Sequence, residues 1–121
     1  MLNQSNGKYK ILRLMDIMLS QTDEKHPITV KEIIDQLAAY GISAERKSIY
    51  TDLQVLVDYG VDIVSASHGK YYVASREFEL PELKLLVDAV SASRFIPTAK
   101  SRLLQKKLEK LTNQYDGKQL Q

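Results

Sequence analysis

Cysteine and tryptophan are both absent from this 121-residue chain. Without cysteine the chain can form no disulfide bond and no thiolate zinc site, and a reducing compartment fits that composition. No apolar run reaches membrane-spanning length, and the polar start MLNQSNGKYK does not have the pattern of a signal peptide. Internal repeats and low-complexity segments are also missing. We therefore expect a cytoplasmic protein.

An excess of charge of one sign is also lacking. The chain contains 17 Lys or Arg and 15 Asp or Glu, a formal net charge of +2. Residues 1–75 hold 8 basic and 9 acidic side chains, which sum to −1, whereas residues 76–121 hold 9 and 6, which sum to +3. No large basic field marks a nucleic-acid-binding protein. Any binding to DNA must therefore depend on the local placement of cations.

Side chains that could form a catalytic or metal centre are sparse. His26 and His68 read as isolated residues without the spacing of metal ligands, and Asp23-Glu24 reads as an acidic pair in a loop. The sequence contains no glycine-rich phosphate loop and no serine nucleophile motif. We expect neither an enzyme nor a bound metal or cofactor.

Helical periodicity begins in GKYKILRLMDIMLSQ and continues in TVKEIIDQLAAYG. In the second segment Thr29 and Glu32 fit a capping box, and Gly41 supplies a left-handed stop. The connection GIS is about three residues long, and its Ser43 is expected to cap the next helix. Two helices joined by so short a turn predict a helix-turn-helix, with Ile42 filling the space between them.

A change of period follows the third predicted helix. Residues 61–64 and 71–73 are rich in β-forming side chains, and His68-Gly69 fits a two-residue hairpin turn. Three helices followed by a hairpin predict a winged helix-turn-helix, with residues 61–73 as the wing.

The third predicted helix, residues 44–59, has one apolar face and one polar face. We expect Ile49, Leu53, Leu56 and Val57 to point into the core. The opposite stripe is small, polar and partly basic, as a helix requires to enter the major groove, which is about 12 Å wide. Arg46 and Tyr50 are expected on one flank and Ser48 on the other, both flanks facing phosphates. His68 and Lys70 at the wing tip either reach the minor groove or its phosphates or belong to a solvated hairpin. The predicted DNA-binding residues are Ser43, Ala44, Arg46, Lys47, Ser48, Tyr50, Thr51, Gln54, His68 and Lys70.

Two acidic residues on this helix count against DNA binding. We expect Asp52 to bond within its own domain and Asp58 to stay away from DNA. Two other interpretations remain open: a polar helix face that is merely solvated, and a winged helix that contacts proteins without any role in DNA binding. Binding to duplex DNA that weakens steeply with added salt would distinguish a DNA-binding protein from both alternatives.

Two further helices are predicted, in FELPELKLLVDAVSASRFI, with Pro81 in its first turn and Pro97 as its end, and in TAKSRLLQKKLEKLTNQY. The fourth helix is apolar on two sides. One side carries Leu83, Leu86, Val87 and Val90. The other side carries Leu85, Ala89 and Ala92, and we expect it to form a homodimer. The basic residues of the fifth helix are either solvated or in contact with flanking DNA, and the tail DGKQLQ is expected to begin a linker.

The segment ITVKEIIDQLAAYGISAERKSIYTDLQVLVDYGVDIVSASHGKYYV resembles the winged-helix N-terminus of bacterial WYL-domain transcriptional regulators, which are related to DeoR-type repressors. The similarity lies in the pattern S-x5-I-Y-x-D-L-x-x-L, from Ser43 to Leu56, and in a short wing ending in YYV. FELPELKLLVDAVSASRFIP is similar to the helical extension of that family.

The resemblance implies a DNA-binding domain in residues 1–75 and a helical extension in residues 76–121. It implies that the extension, which we expect to dimerise through the apolar side of the fourth helix, leads to a C-terminal sensor domain that binds a small-molecule or nucleic-acid effector. That sensor carries a Trp-Tyr-Leu signature, but this chain has no tryptophan and ends at Gln121. We therefore expect these residues to be the DNA-binding part of a longer regulator.

Overall fold

The computed structural model describes residues 7–121, which are mainly helical with one small three-stranded antiparallel sheet. The predicted combination of a helix-rich fold with a β-hairpin is confirmed at this level. The chain divides into two compact units, residues 1–74 and 75–121. The first unit contains α1 (Gly7–Gln21), β1 (Ile28–Thr29), α2 (Val30–Ala39), α3 (Arg46–Tyr59), β2 (Ile63–Ala66) and β3 (Lys70–Val73). The second contains α4 (Leu80–Ala92), α5 (Thr98–Glu109) and α6 (Gln114–Gln119).

The core of the first unit forms where α1, α2 and α3 converge. Each helix contributes three fully or almost fully buried apolar residues: Leu14, Ile17 and Met18 from α1, Val30, Ile33 and Leu37 from α2, and Ile49, Leu53 and Leu56 from α3. Burying a side chain of this size stabilises the fold by about 1.5–3 kcal/mol. The prediction that Val57 points into this core is wrong, because 40% of its surface remains exposed.

The end of α2 is fixed by a glycine and by the isoleucine that follows it. Gly41 has φ 76°, and its N–H donates to the Ala38 carbonyl at 2.9 Å. The N–H of Ile42 donates to the Leu37 carbonyl at 2.9 Å, which completes a Schellman motif. The Ile42 side chain is buried in the core, as predicted. The turn therefore contributes both a stop signal and a core residue.

The start of α2 is joined to a strand that the sequence does not reveal. Thr29 ends β1 and also caps α2, since its hydroxyl oxygen accepts the Glu32 N–H at 3.1 Å. The same hydroxyl lies 3.0 Å from the Glu32 carboxylate and donates to it. β1 pairs with β3 through Ile28 opposite Tyr71 and Thr29 opposite Lys70. The capped end of α2 is thereby fastened to the sheet.

The connection between α2 and α3 is longer than predicted. It spans residues 40–45, and α3 begins at Arg46 rather than at residue 44. Glu45 is the N-cap residue in an extended conformation, so the prediction that Ser43 caps this helix is wrong. Ala44 packs against the core. Because Ala44 is docked before the helix starts, the first helical turn forms two residues later.

The predicted hairpin is present with a slightly longer turn. The sheet order is β1-β3-β2, and Ala66 pairs with Lys70 across the turn. The loop is therefore three residues, Ser67–Gly69, rather than two. His68 (φ 62°) and Gly69 (φ 67°) both adopt left-handed conformations, as the predicted turn requires.

Two polar contacts join α1 to other elements of the first unit. The buried Thr22 hydroxyl donates to the Met18 carbonyl at 2.7 Å and accepts the Val73 N–H at 3.0 Å. Gln21 and Gln36 exchange two amide hydrogen bonds, of 2.7 and 2.6 Å. These contacts fix α1 against β3 and α2 by direction-dependent bonds as well as by apolar packing.

The second unit has three helices, which corrects the predicted two-helix extension. α4 has Pro81 in its first turn, as predicted, but it ends at Ala92, and Pro97 instead precedes α5 as its N-cap residue. The predicted fifth helix, residues 98–115, instead ends at Glu109. Its last two residues and most of the tail predicted as a linker form α6. Asn113 accepts the Asp116 N–H at 2.8 Å and caps this helix.

A small core supports these three helices. Leu83 and Val87 of α4 are buried together with Leu120, next to partly buried Leu108 of α5. Leu120, the C-cap residue of α6, thereby attaches this helix to the core of the second unit.

Candidate nucleic-acid interface

The side of α3 that faces away from the core is a continuous polar stripe. Lys47, Thr51, Gln54 and Asp58 are all exposed and follow one another at helical spacings of three and four residues. The Thr51 hydroxyl donates to the Lys47 carbonyl at 3.2 Å. The Gln54 amide donates to the Asp58 carboxylate at 3.0 Å. Asp58, which we expected to stay away from DNA, thus shares the face of three predicted DNA-binding residues.

A second row on α3 points toward the hairpin. Arg46 donates a hydrogen bond of 3.2 Å to the Tyr50 hydroxyl, in agreement with the expectation that both lie on one flank. The Tyr50 ring lies 6.4 Å from the Tyr71 ring of β3, centroid to centroid, at an interplanar angle of 58°. Tyr71 is not among the predicted DNA-binding residues, because its contact with Tyr50 joins residues 21 positions apart.

An open cleft of about 400 Å³ lies between α3 and the hairpin. Its walls are Tyr50, Leu53, Gln54, Val57, Ile63, Ser65 and Tyr71. The exposed surface of Val57 belongs to this cleft, which explains why that residue does not join the core.

The third side of α3 is occupied by a cation from α1. Lys10 Nζ lies 2.7 Å from the Asp52 carboxylate, and the two side chains are only 13% and 17% exposed. Lys10 also donates a hydrogen bond to the Ser48 hydroxyl. Asp52 therefore bonds within its domain, as predicted. Ser48 lies on the flank opposite Arg46, as predicted, but its oxygen is engaged by Lys10.

Lys10 was not identified from the sequence. Its partner lies 42 positions further along the chain, so no spacing pattern marks the pair. In the sequence, Lys10 appears only as one of several polar residues between the apolar residues of α1.

The remaining predicted DNA-binding residues lie at the two ends of this surface. Ser43 is exposed in the connection before α3, whereas Ala44 packs on the core. His68 is exposed at the tip of the hairpin, and Lys70 is half-buried at the first position of β3. The acidic side chain of Glu45 is exposed beside Arg46.

Another cation of α1 is used in packing. The Arg13 guanidinium lies 4.1 Å from the centre of the Tyr40 ring and 5.6 Å from that of Tyr9, within cation–π distance. It donates a hydrogen bond of 3.0 Å to the Tyr9 hydroxyl. This bond raises the pKa of Arg13 above its ordinary value, against the opposing effect of desolvation. Arg13 therefore links α1 to the end of α2.

The histidines do not belong to a recognisable metal centre. Among residues 7–121, no group of three or more His, Cys, Asp or Glu side chains could hold a metal ion. His26 is not isolated as the sequence suggested: its Nδ1 lies 2.7 Å from the Asp23 carboxylate. Within the same residues, no helix is both long enough and apolar enough to cross a membrane.

The fourth helix exposes the side that we predicted to dimerise. Leu83 and Val87 are buried, whereas Leu85 is 71% exposed and Ala89 and Ala92 are exposed with it. Of the first apolar side, Leu86 also remains 37% exposed. The uncovered apolar surface of α4 is therefore wider than the predicted stripe.

Comparisons of the chain with protein-family models, with curated proteins and with solved structures gave no match. The resemblance to WYL-domain regulators stays a prediction from the sequence pattern.

Proposed function

We propose that the chain is a DNA-binding transcriptional regulator of the winged helix-turn-helix class, acting in the cytoplasm. In this proposal α3 enters the major groove and the β2–β3 hairpin is the wing. The arrangement of three helices followed by a hairpin supports the proposal, since the hairpin stands beside the row formed by Arg46 and Tyr50.

The observation that carries the proposal is the polar stripe on α3. The core holds one side of this helix and Lys10 holds another, which leaves Lys47, Thr51 and Gln54 without any packing role. From residue 47 to 54 the stripe rises about 10 Å, the axial length of about three base pairs. Small polar side chains at that spacing fit a helix lying in the major groove.

The hydrogen bonds on the stripe restrict what each residue can read. Because the Thr51 hydroxyl donates to a backbone carbonyl, the side chain offers a base edge its methyl group and an acceptor lone pair. The methyl group suits the thymine methyl. The Gln54 amide keeps its oxygen and one N–H after bonding Asp58, which is the pair that adenine requires.

Phosphate contacts would fix the register of the helix. Arg46 and the Tyr50 hydroxyl lie on the hairpin side of α3, and a DNA backbone passing between helix and wing would meet both. His68 at the hairpin tip would lie nearest to the adjacent minor groove. Such contacts supply affinity without sequence preference.

A homodimer through α4 completes the proposal. A leucine that moves from full exposure to full burial gains about 1.5–3 kcal/mol, and the exposed surfaces of Leu85 and Leu86 forgo part of this gain. A second copy of the same surface is the simplest cover for them. Two recognition helices related by a two-fold axis would read half-sites about 34 Å apart when those lie one helical turn apart.

The test is selection of bound sequences from a random DNA pool, followed by two variants. Thr51→Ala should relax the preference at one or two positions, at a cost of about 1–3 kcal/mol for the preferred base. Arg46→Ala should weaken binding to all sequences alike and lower the salt slope by about one unit. A selected sequence that is unchanged in Thr51→Ala and Lys47→Ala would show that another face of α3 reads DNA.

A protein-contact module without DNA binding is the second candidate. The cleft beside Val57 and the 80% exposure of Tyr59 favour it, because aromatic and aliphatic side chains in such positions suit a protein partner. A salt titration on random duplex separates the two functions. Regulator binding should fall steeply with salt through counterion release, whereas a protein-contact module should give no binding to titrate.

A further inference from the structure

A group of cations without ion-pair partners among residues 7–121 lies on the second unit. Between residues 98 and 111 the chain has five cations and a single acid, Glu109. The cations are Lys100, Arg102, Lys106, Lys107 and Lys110, and all are exposed. None of these five side chains forms an ion pair or hydrogen bond with any residue in the range 7–121.

Three of these cations form one row. Arg102, Lys106 and Lys110 follow each other at intervals of four residues, and Lys110 is the C-cap residue that extends α5. The three side chains therefore lie on one face of the helix. The row is about 12 Å long at 1.5 Å per residue. Leu108, which packs on the core of the second unit, lies on a different face. The row is therefore directed away from that core.

Helix stability does not explain this distribution. Like charges at a spacing of four residues destabilise a helix. The helix dipole favours cations in the last turn, where Lys106 and Lys107 lie, but it disfavours Lys100 in the first turn, which has no acidic residue. A partner of negative charge would account for all of these positions.

We propose that the row Arg102, Lys106 and Lys110 binds the phosphate backbone of DNA that flanks the sequence read by α3. One strand presents a charge every 3.4 Å or so, so that 12 Å of row faces about three phosphates. The inference rests on the proposed function. It also explains how a first unit with a formal charge of −1 can belong to a DNA-binding protein: the nonspecific electrostatic affinity comes from the second unit.

The experiment uses the whole chain of residues 1–121 and a random-sequence duplex of about 30 base pairs. Arg102→Gln/Lys106→Gln/Lys110→Gln removes the row and keeps good helix-forming residues. The matched control is Lys84→Gln/Arg94→Gln/Lys118→Gln, which removes three exposed cations elsewhere in the second unit and leaves the same net charge. Circular dichroism melts establish that both variants remain folded.

The row variant should lower the slope of log affinity against log salt by about two to three units, as expected from about 0.9 per phosphate contact. The control should keep a slope within about one unit of the original chain. Equal slopes for both variants would overturn the proposal, since net charge alone would then account for the effect. Binding of the row to vesicles containing anionic lipid, with the DNA slope unchanged, would overturn it in favour of a membrane surface.

An Arg46→Gln/Lys47→Gln variant separates this inference from the proposed function. If it loses sequence preference while the row variant behaves like the original chain, the row proposal fails alone. If the row variant loses DNA binding and the α3 variant does not, the row binds DNA and the role proposed for α3 is wrong. An original chain that binds no duplex at low salt would overturn both.

Discussion

The ion pair between Lys10 and Asp52 should fix the position of α3. Lys10→Met keeps most of the aliphatic stem but removes the ammonium group, which leaves the Asp52 carboxylate in a site where only 17% of the side chain is exposed. Breaking a fully buried pair costs about 3–5 kcal/mol, and an exposed pair contributes about 0–1 kcal/mol. For this partly buried geometry we expect Lys10→Met to lower the free energy of unfolding by about 2 kcal/mol.

A double-mutant cycle isolates the contribution of the pair. Asp52→Asn keeps the shape of the carboxylate without its charge, and Lys10→Met/Asp52→Asn removes both charges. The double variant should be more stable than the sum of the single losses predicts, with a coupling energy of about 1–2 kcal/mol. Lys31→Met is the control, because it removes an exposed lysine of α2, and its cost should be within about 0.5 kcal/mol.

Urea unfolding followed by tyrosine fluorescence is the appropriate assay. Six of the seven tyrosines belong to residues 1–74 and only Tyr115 to the second unit, so the signal reports mainly the first unit. A loss of 2 kcal/mol should lower the urea midpoint by about 1 M when the slope m is about 2 kcal/mol per M. A midpoint for Lys10→Met equal to that of Lys31→Met, with no coupling in the cycle, would refute the reasoning.

The same variants test whether the pair matters for binding. In Lys10→Met the unpaired Asp52 carboxylate adds a negative charge to α3, whereas in the double variant it does not. We therefore expect the single variant to bind random duplex more weakly than the double variant at equal folded fraction. Equal affinities would indicate that this side of α3 does not approach DNA.

Three further predictions concern other contacts. Thr22→Val should cost about 1–3 kcal/mol of unfolding free energy, because the buried Val73 N–H loses its acceptor; urea unfolding measures it, and a cost below 0.5 kcal/mol would contradict it. Glu45→Gln should strengthen binding to random duplex more than Asp58→Asn does, since Glu45 lies beside the cations Arg46 and Lys47 at the start of α3; a larger gain for Asp58→Asn in a binding titration would contradict this and would bring the C-terminal end of the helix nearer to DNA. Ala89→Glu should give a folded monomer in sedimentation, and a persisting dimer would put the interface elsewhere.

The features of the fold that can be predicted from the sequence depend on residues close to each other in the chain. Gly41 and Ile42 mark the end of α2 because a left-handed residue and a buried residue are adjacent in the chain. The outer stripe of α3 follows from helical spacing once its buried face is known. Both inferences need only a dozen consecutive residues.

The features that the sequence does not predict depend on distant partners. β1 is only two residues long and shows no alternation, so it exists as a strand only because β3 supplies the opposite hydrogen bonds. α3 begins two residues later than predicted because Ala44 packs on the core of the first unit instead of starting the helix. The polar residues 116–121 predict a linker rather than part of α6, although Asn113 is a typical N-cap residue and Leu120 is an apolar residue that can join a core.

The distribution of charge along α3 shows why net charge is a poor guide to the function of this chain. Arg46 and Lys47 lie in the first turn and Asp58 near the end, about 18 Å from Arg46 along the axis. That distance exceeds the Debye length of about 8 Å at physiological salt, so phosphates near Arg46 would hardly sense Asp58. The one acid between them, Asp52, is neutralised by Lys10. Even with the exposed Glu45 beside Arg46, the N-terminal half of α3 therefore carries an excess of positive charge, although residues 1–75 sum to −1.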